Sequence, residues 1–201
     1  MKNTQAVITR MTQGIDEEFK TVDLVLLSGA STMCVDAFCL TWIKFERQLR
    51  KLAANLLFQA SDLLEDDEDS KSKLRAALAR KSKLNHNRFI HGIEKLTATT
   101  ARQIMGNDYK SLRRSIETAY TYRNKLFHGQ QTGHNLNQEQ LMLVQSDVRQ
   151  WCEILAQEGF SRFGYDGFSR NSLHKTNRPE VVELVDHALT PSGWNDFIEK
   201  L

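Results

Sequence analysis

Proline is almost missing from this chain, which carries only Pro179 and Pro191. Ten glycines are spread through 201 residues, and Leu, Ala, Glu, Lys, Arg and Gln dominate. Scarce helix breakers and plentiful helix formers predict an all-α protein. Long apolar runs are also lacking. The nearest, Val22 to Ala30, falls well short of the roughly 18 residues a membrane span needs, so no membrane partner is expected. Neither sign of charge prevails, because 27 Lys and Arg face 25 Asp and Glu for a net +2. That balance excludes a globally polycationic binder of the histone type, and any nucleic-acid contact has to be local.

Cysteine is sparse and odd in number. Cys34, Cys39 and Cys152 lack CxxC spacing and no secretory leader is legible ahead of them. Reduced, buried thiols in a cytoplasmic protein are the expectation. Metal-ligand spacing is missing too: His86 and His91 flank Arg88 with no cysteine nearby, and His134, His174 and His187 are scattered. Without a glycine-rich phosphate loop or a nucleophile elbow, no metal and no cofactor is expected.

What is present is helical periodicity. Val7, Met11, Ile15, Phe19, Val22 and Leu26 predict a first helix, stopped by Ser28-Gly29. From about Thr32 a longer one carries Val35, Phe38, Trp42, Phe45, Leu49, Leu52 and Leu56 in a near-heptad stripe towards Leu63, and the acidic run Glu65 to Asp69 is expected to end it. The cations Lys71, Lys73, Arg75, Arg80, Lys81 and Lys83 then read as a solvated helix face. Phe89, Ile93, Leu96, Ile104 and Met105 resume the period until Gly106-Asn107-Asp108, which offers an N-cap. One helix should run from there to Phe127, closed by Gly129 and followed by a polar loop from Gln130 to Leu136.

Asn137 and Gln140 form a capping box for a helix bearing Leu141, Val144, Val148, Trp151 and Leu155, expected to stop at Gly159. Beyond it, Phe160 to Asn171 mixes aromatics, glycines and arginines without a period, as an ordered loop or docking arm would. Val181 to Leu189 and Trp194 to Leu201 predict two short closing helices. The length favours one unit, residues 1–159, with residues 160–201 as an arm packing on the core or on a dimer partner.

Chemistry gathers on the helix ending at Phe127. Leu112, Ile116, Ala119, Leu126 and Phe127 share one stripe at 100° per residue, and Arg123 falls in its middle. A guanidinium cannot shed its proton and is costly in a dry core, so the stripe should open near Arg123 onto something wet or onto a partner. Asn124 and His128 share a face with Tyr120 above them, whereas Arg123 and His128 point roughly 140° apart on an ideal helix. Either the helix unwinds at His128, or a second copy of the chain supplies the missing group across a two-fold axis.

The stretch Arg123-Asn124-Lys125-Leu126-Phe127-His128 resembles the Arg-x-x-x-x-His signature of the HEPN ribonucleases. Trp42 to Arg50, with its Phe45-Glu46-Arg47-Gln48-Leu49-Arg50, is similar to that family's early helix. The likeness covers about residues 32–159. It implies an up-and-down bundle of four to five main helices with an extra C-terminal helical arm. It also implies metal-independent RNA cleavage, in which the ribose 2′-hydroxyl attacks the adjacent phosphorus and leaves a cyclic phosphate and a 5′-hydroxyl.

On this resemblance Arg123, Asn124 and His128 are catalytic. His128 handles the proton, Arg123 holds the phosphorane by bidentate contact, and Asn124 orients phosphate or imidazole. Tyr120, Tyr122 and Lys125 would contact substrate, the two tyrosines by stacking on a splayed base, although helix tyrosines are more often packing groups. The implied partners are an RNA substrate, a second copy completing a composite site, and an antitoxin or regulatory protein, as suits a toxin or antiviral effector. Two other readings stay open: a non-catalytic helical dimer binding RNA, nucleotide or a protein, and a structural role with His128 on a helix dipole and Arg123 paired with Glu46.

Overall fold

The computed structural model describes the backbone of residues 2–81, 84–128, 137–169, 171–190 and 192–201, with side chains from Gly14 onward. Among them every regular element is helical: α1 (Lys2–Leu26), α2 (Met33–Phe58), α3 (Glu68–Arg80), α4 (His86–Thr97), α5 (Ala101–Met105), α6 (Tyr109–Phe127), α7 (Gln138–Phe163), α8 (Pro179–Leu189) and α9 (Gly193–Lys200), with a short 3-10 turn over Gly106–Asp108. No helix among the described residues is long and apolar enough to cross a membrane. Two compact units form, one from residues 1–45 and 105–155 and the other from 46–104 and 156–201.

The first unit is built by α1, the opening part of α2, α6 and most of α7. Phe19, Val22, Phe38, Trp42, Phe45, Ile116, Val148 and Trp151 lie in its core. Phe45 meets Trp151 edge to face at 6.4 Å, and Trp42 lies 5.1 Å from Phe45, which are the tilted and T-shaped geometries that ring quadrupoles prefer. Arg149 of α7 binds Asp23 of α1 at 2.6 Å while its guanidinium lies 5.0 Å from the Phe19 ring centre. The buried Thr41 hydroxyl accepts from Gln145 at 3.0 Å, so a polar pair sits in this core with its needs met. Val7 and Met11 lie outside the described side chains, and Gly129 to Leu136 outside the described residues.

In the second unit, α8 packs on α4 and α9 on α3. Between α7 and α8 the described residues, 164–169 and 171–178, run without helix along α2. That path is polar on both sides: Gln48 donates to the Asp166 carbonyl at 3.1 Å, Lys51 to Phe168 at 2.8 Å, and Asn55 to Ser172 at 2.9 Å. Gln59 donates to the His174 carbonyl at 3.0 Å and accepts from the Thr176 amide at 2.9 Å. Gln48, Lys51 and Asn55 are three and four apart, so they form a polar stripe along one face of α2, which Gln59 continues one residue past its end. The segment therefore finds on a helix the partners that a sheet would otherwise supply.

Several boundaries differ from expectation. Helix α2 ends at Phe58, ahead of the acidic run, and that run begins α3 instead: the Asp67 side chain accepts from the Asp69 amide, with Glu68 and Asp69 in the first turn. Acidic residues suit the positive end of the helix dipole, which is the reverse of the terminating role read from the sequence. Asn107 does not cap α6; the chain turns through Gly106 at φ 59° and enters from Asp108 without a side-chain bond. The predicted cap at Asn137 forms, accepting from Gln140 N at 2.8 Å.

Helix α7 passes straight through Gly159 to Phe163. Gly159 is there for close approach, because a Cβ would lie 2.9 Å from the Tyr165 carbonyl oxygen, and the stop comes at Gly164 with φ 83°. Val35, read into the buried stripe of α2, is 37% exposed.

Asn55→Leu removes a buried donor from main-chain carbonyls, so it should lower unfolding free energy by about 1–3 kcal/mol. Gly14→Ala, where a Cβ meets nothing within 4 Å on the helical backbone of α1, should raise it by up to about 1 kcal/mol. Denaturant titration of both variants checks the opposite signs.

Candidate functional site

Helix α6 carries the motif, and its apolar stripe is buried only part of the way. Leu112, Ile116 and Ala119 are buried, Leu126 is half-buried, and Phe127 is 53% exposed. The stripe thus opens towards its C-terminal end, where Arg123 sits. The Arg123 guanidinium lies 4.9 Å from the Phe127 ring centre, and one of its terminal nitrogens donates to Asn124 Oδ1 at 3.0 Å. Its Nε is buried and has no hydrogen-bond partner among the described residues. No carboxylate pairs with Arg123 among the described residues either. A cation held by a ring face and an amide keeps most of its charge available to an anion.

His128 is exposed and closes the helix at φ −95° and ψ 7°, its amide bonded to the Asn124 carbonyl at 3.1 Å. The helical hydrogen-bond pattern therefore persists to His128, and the roughly 140° divergence from Arg123 stands within one chain. The same wheel places Lys110, Arg114, Lys125 and His128 within a sector of roughly 60°. Lys110, Arg114 and His128 are exposed and Lys125 half-buried. Over its length α6 holds five cations, Lys110, Arg113, Arg114, Arg123 and Lys125, against the single carboxylate Glu117. This local positive face escapes a whole-chain charge count; counting helix by helix would have found Lys110 and Arg114.

The other site candidates fall in different settings. Tyr120 is half-buried with its ring 6.2 Å from that of Trp42, a packing contact in the first unit. Tyr122 is half-buried one turn before the end of α6, and Lys125 is half-buried beside the motif. Glu46 belongs to the second unit and is half-buried on α2. Cys39 and Arg123 lie close enough to share a field: burial and the Asp36 carboxylate push the Cys39 thiol above its ordinary pKa, and the Arg123 guanidinium pulls it down. All three cysteines are free thiols. Among the described residues no three His, Cys, Asp or Glu side chains gather as a metal site. His86 is buried on α4, and Arg88 donates to the carbonyl of Leu201.

No protein-family model matches the chain, and neither a curated protein nor a solved structure matches it.

The Cys39 thiol reports on Arg123 without reference to any activity. Its raised pKa makes it slow to alkylate at neutral pH, since the thiolate is the nucleophile. Arg123→Met removes the positive charge that favours the thiolate, so the pH profile of Cys39 alkylation should move further upward. An unchanged profile, followed by mass spectrometry of the labelled peptide, would place the guanidinium away from Cys39.

Proposed function

We propose that the chain is a metal-independent endoribonuclease of the HEPN type, acting as a homodimer in a toxin or antiviral defence system. The observation that carries the reading is Arg123: a guanidinium without a carboxylate partner among the described residues, on an apolar stripe that opens beside an exposed histidine. Structural arginines on such stripes are paired with carboxylates, because an unpaired buried charge is costly. An anion that arrives with a ligand would complete the arrangement, and a phosphate fits its planar donors.

In the reaction the 2′-oxygen forms a bond to phosphorus as the bond to the 5′-oxygen breaks. His128 accepts the 2′-hydroxyl proton or returns one to the departing 5′-oxygen, and Arg123 holds the non-bridging oxygens as charge builds on them. Asn124 fixes the guanidinium through its amide oxygen. Lys110, Arg114 and Lys125, on the face of His128, would follow the RNA backbone. Because the helix carries Arg123 and His128 on different faces, the reading takes one from each of two chains, with Phe127 and the open end of the stripe covered in the dimer. The same face used only to hold RNA is the second reading, favoured by the stacked position of Arg123 on Phe127 and by the cationic face of α6.

Purified protein should cut single-stranded RNA in EDTA, leaving cyclic phosphate ends, and Arg123→Ala or His128→Ala should each reduce the rate by about 100-fold or more. A mixed dimer of the two variants, isolated through different tags, should regain part of the activity from its one intact pair. Restoration by added magnesium after chelation would sink the mechanism. RNA binding with no cleavage at all would establish the second reading.

A further inference from the structure

Charge and apolar surface are arranged quite differently in the second unit, where a groove of about 860 Å³ runs along α8. Its floor is apolar, with Leu63 and Leu64 from the loop after α2 and Pro179 and Val182 from α8. Leu64 is 65% exposed, a large apolar side chain left in water. A second hollow of about 310 Å³ shares Ser61 and Asp186 with the first and reaches Trp194. The two together line α8, whose 11 residues extend roughly 16 Å, about three helical turns.

The charges around this floor are unequal in what they have left to offer. Lys175 donates to the carbonyls of Phe58 at 2.6 Å and Ala60 at 2.8 Å, and Arg178 to those of Ser161 at 2.6 Å and Phe160 at 3.2 Å. Both cations are spent on the main chain. Glu65, Glu183 and Asp186 line the larger hollow and Asp62 the smaller. Asp186 accepts from the Ser61 amide at 2.9 Å, but Asp62, Glu65 and Glu183 form no ion pair among the described residues. Asp186, Asp62 and Glu65 all act on the Lys175 ammonium, whose pKa burial nonetheless lowers. A surplus of carboxylate therefore rims an apolar floor.

We propose that this groove docks an amphipathic helix of a partner protein, one that presents aliphatic side chains flanked by lysine or arginine. The aliphatic side chains would cover Leu64 and Val182, and the cations would meet Asp62, Glu65 and Glu183 at the rim. A helix is the matching shape because the two hollows together follow α8 for about three turns and the described residues offer no strand edge to extend. An acidic helix is disfavoured by like charge. The inference stands apart from the nuclease reading, since every residue it uses lies in the second unit.

The test titrates the full chain against a labelled helical peptide of about four turns, leucine on one face and lysine flanking it. Saturable binding that weakens with salt is expected, together with none by the same peptide carrying glutamate for lysine. Glu183→Lys and Leu64→Asp, both at exposed positions, should each weaken binding about tenfold. A photo-crosslinker on the peptide, used with the unaltered chain, should label α8 or the Ser61–Glu65 loop. Absent saturation, crosslinks confined elsewhere, or affinity indifferent to both substitutions would overturn the proposal. So would a chain that self-associates through this face, with Leu64→Asp abolishing its own dimer.

Discussion

A stretch of chain without helix or strand still carries an amide and a carbonyl at every residue, and in the second unit such a stretch lies against buried surface. The carbonyls of Asp166, Phe168, Ser172 and His174 are met by Gln48, Lys51 and Asn55 of α2 and by Gln59 just past its end, while Lys175 of the stretch donates back to the carbonyls of Phe58 and Ala60. An unpaired buried main-chain group costs as much as a lost hydrogen bond, so the path of residues 164–169 and 171–178 depends on these side chains. The turn at Asp166 is fastened the same way, its carboxylate accepting from the Phe168 and Ser169 amides at 2.8 Å each. Gly167, at φ 79°, lets the turn approach closely, since a Cβ there would meet Gln48 Cγ at 2.6 Å. Where α8 begins, and so where the groove beside it lies, follows from this anchoring.

The same constraint, applied to a charge, distinguishes α6. Gln145 and Thr41 show how a buried polar group is ordinarily settled in the first unit, by a partner at 3.0 Å. Arg149 shows it for a guanidinium, with Asp23 and Glu153 as ion partners and Phe19 beneath. Arg123 has the ring and the amide but no carboxylate among the described residues. The comparison within one unit gives Arg123 its interest: two arginines stacked on phenylalanine, one neutralised and one not.

The motif at Arg123 to His128 was legible because its residues are consecutive on one helix, and the wheel that puts Arg123 on the apolar stripe needs only the helical period. The opening of that stripe at Leu126 and Phe127 was predictable in outline, from the cost of burying a guanidinium. The stacking of Arg123 on Phe127 and its proximity to Cys39 were not, since one depends on rotamers and the other on how α2 packs against α6. Tyr120 is a similar case. The contact of its ring with Trp42, nearly eighty residues away in sequence, depends on how α2 packs against α6.

Helix type and most helix positions follow from local properties of the chain, since breakers are few and apolar residues return every three or four positions. The Asn137 cap and the Pro179 start are local in the same sense, each set by the chemistry of one turn. Boundaries moved where a distant neighbour intervened: α7 continues past Gly159 because the glycine is needed against Tyr165, and α2 ends at Phe58 where Lys175 binds the carbonyls of Phe58 and Ala60. The gathering of residues 46–104 with 156–201 into one unit did not follow from periodicity, because the polar stripe of Gln48, Lys51, Asn55 and Gln59 repeats at helical spacing without saying which distant segment covers it. Local periods determine which residues face inward, while hydrogen-bond satisfaction between distant segments decides what they face.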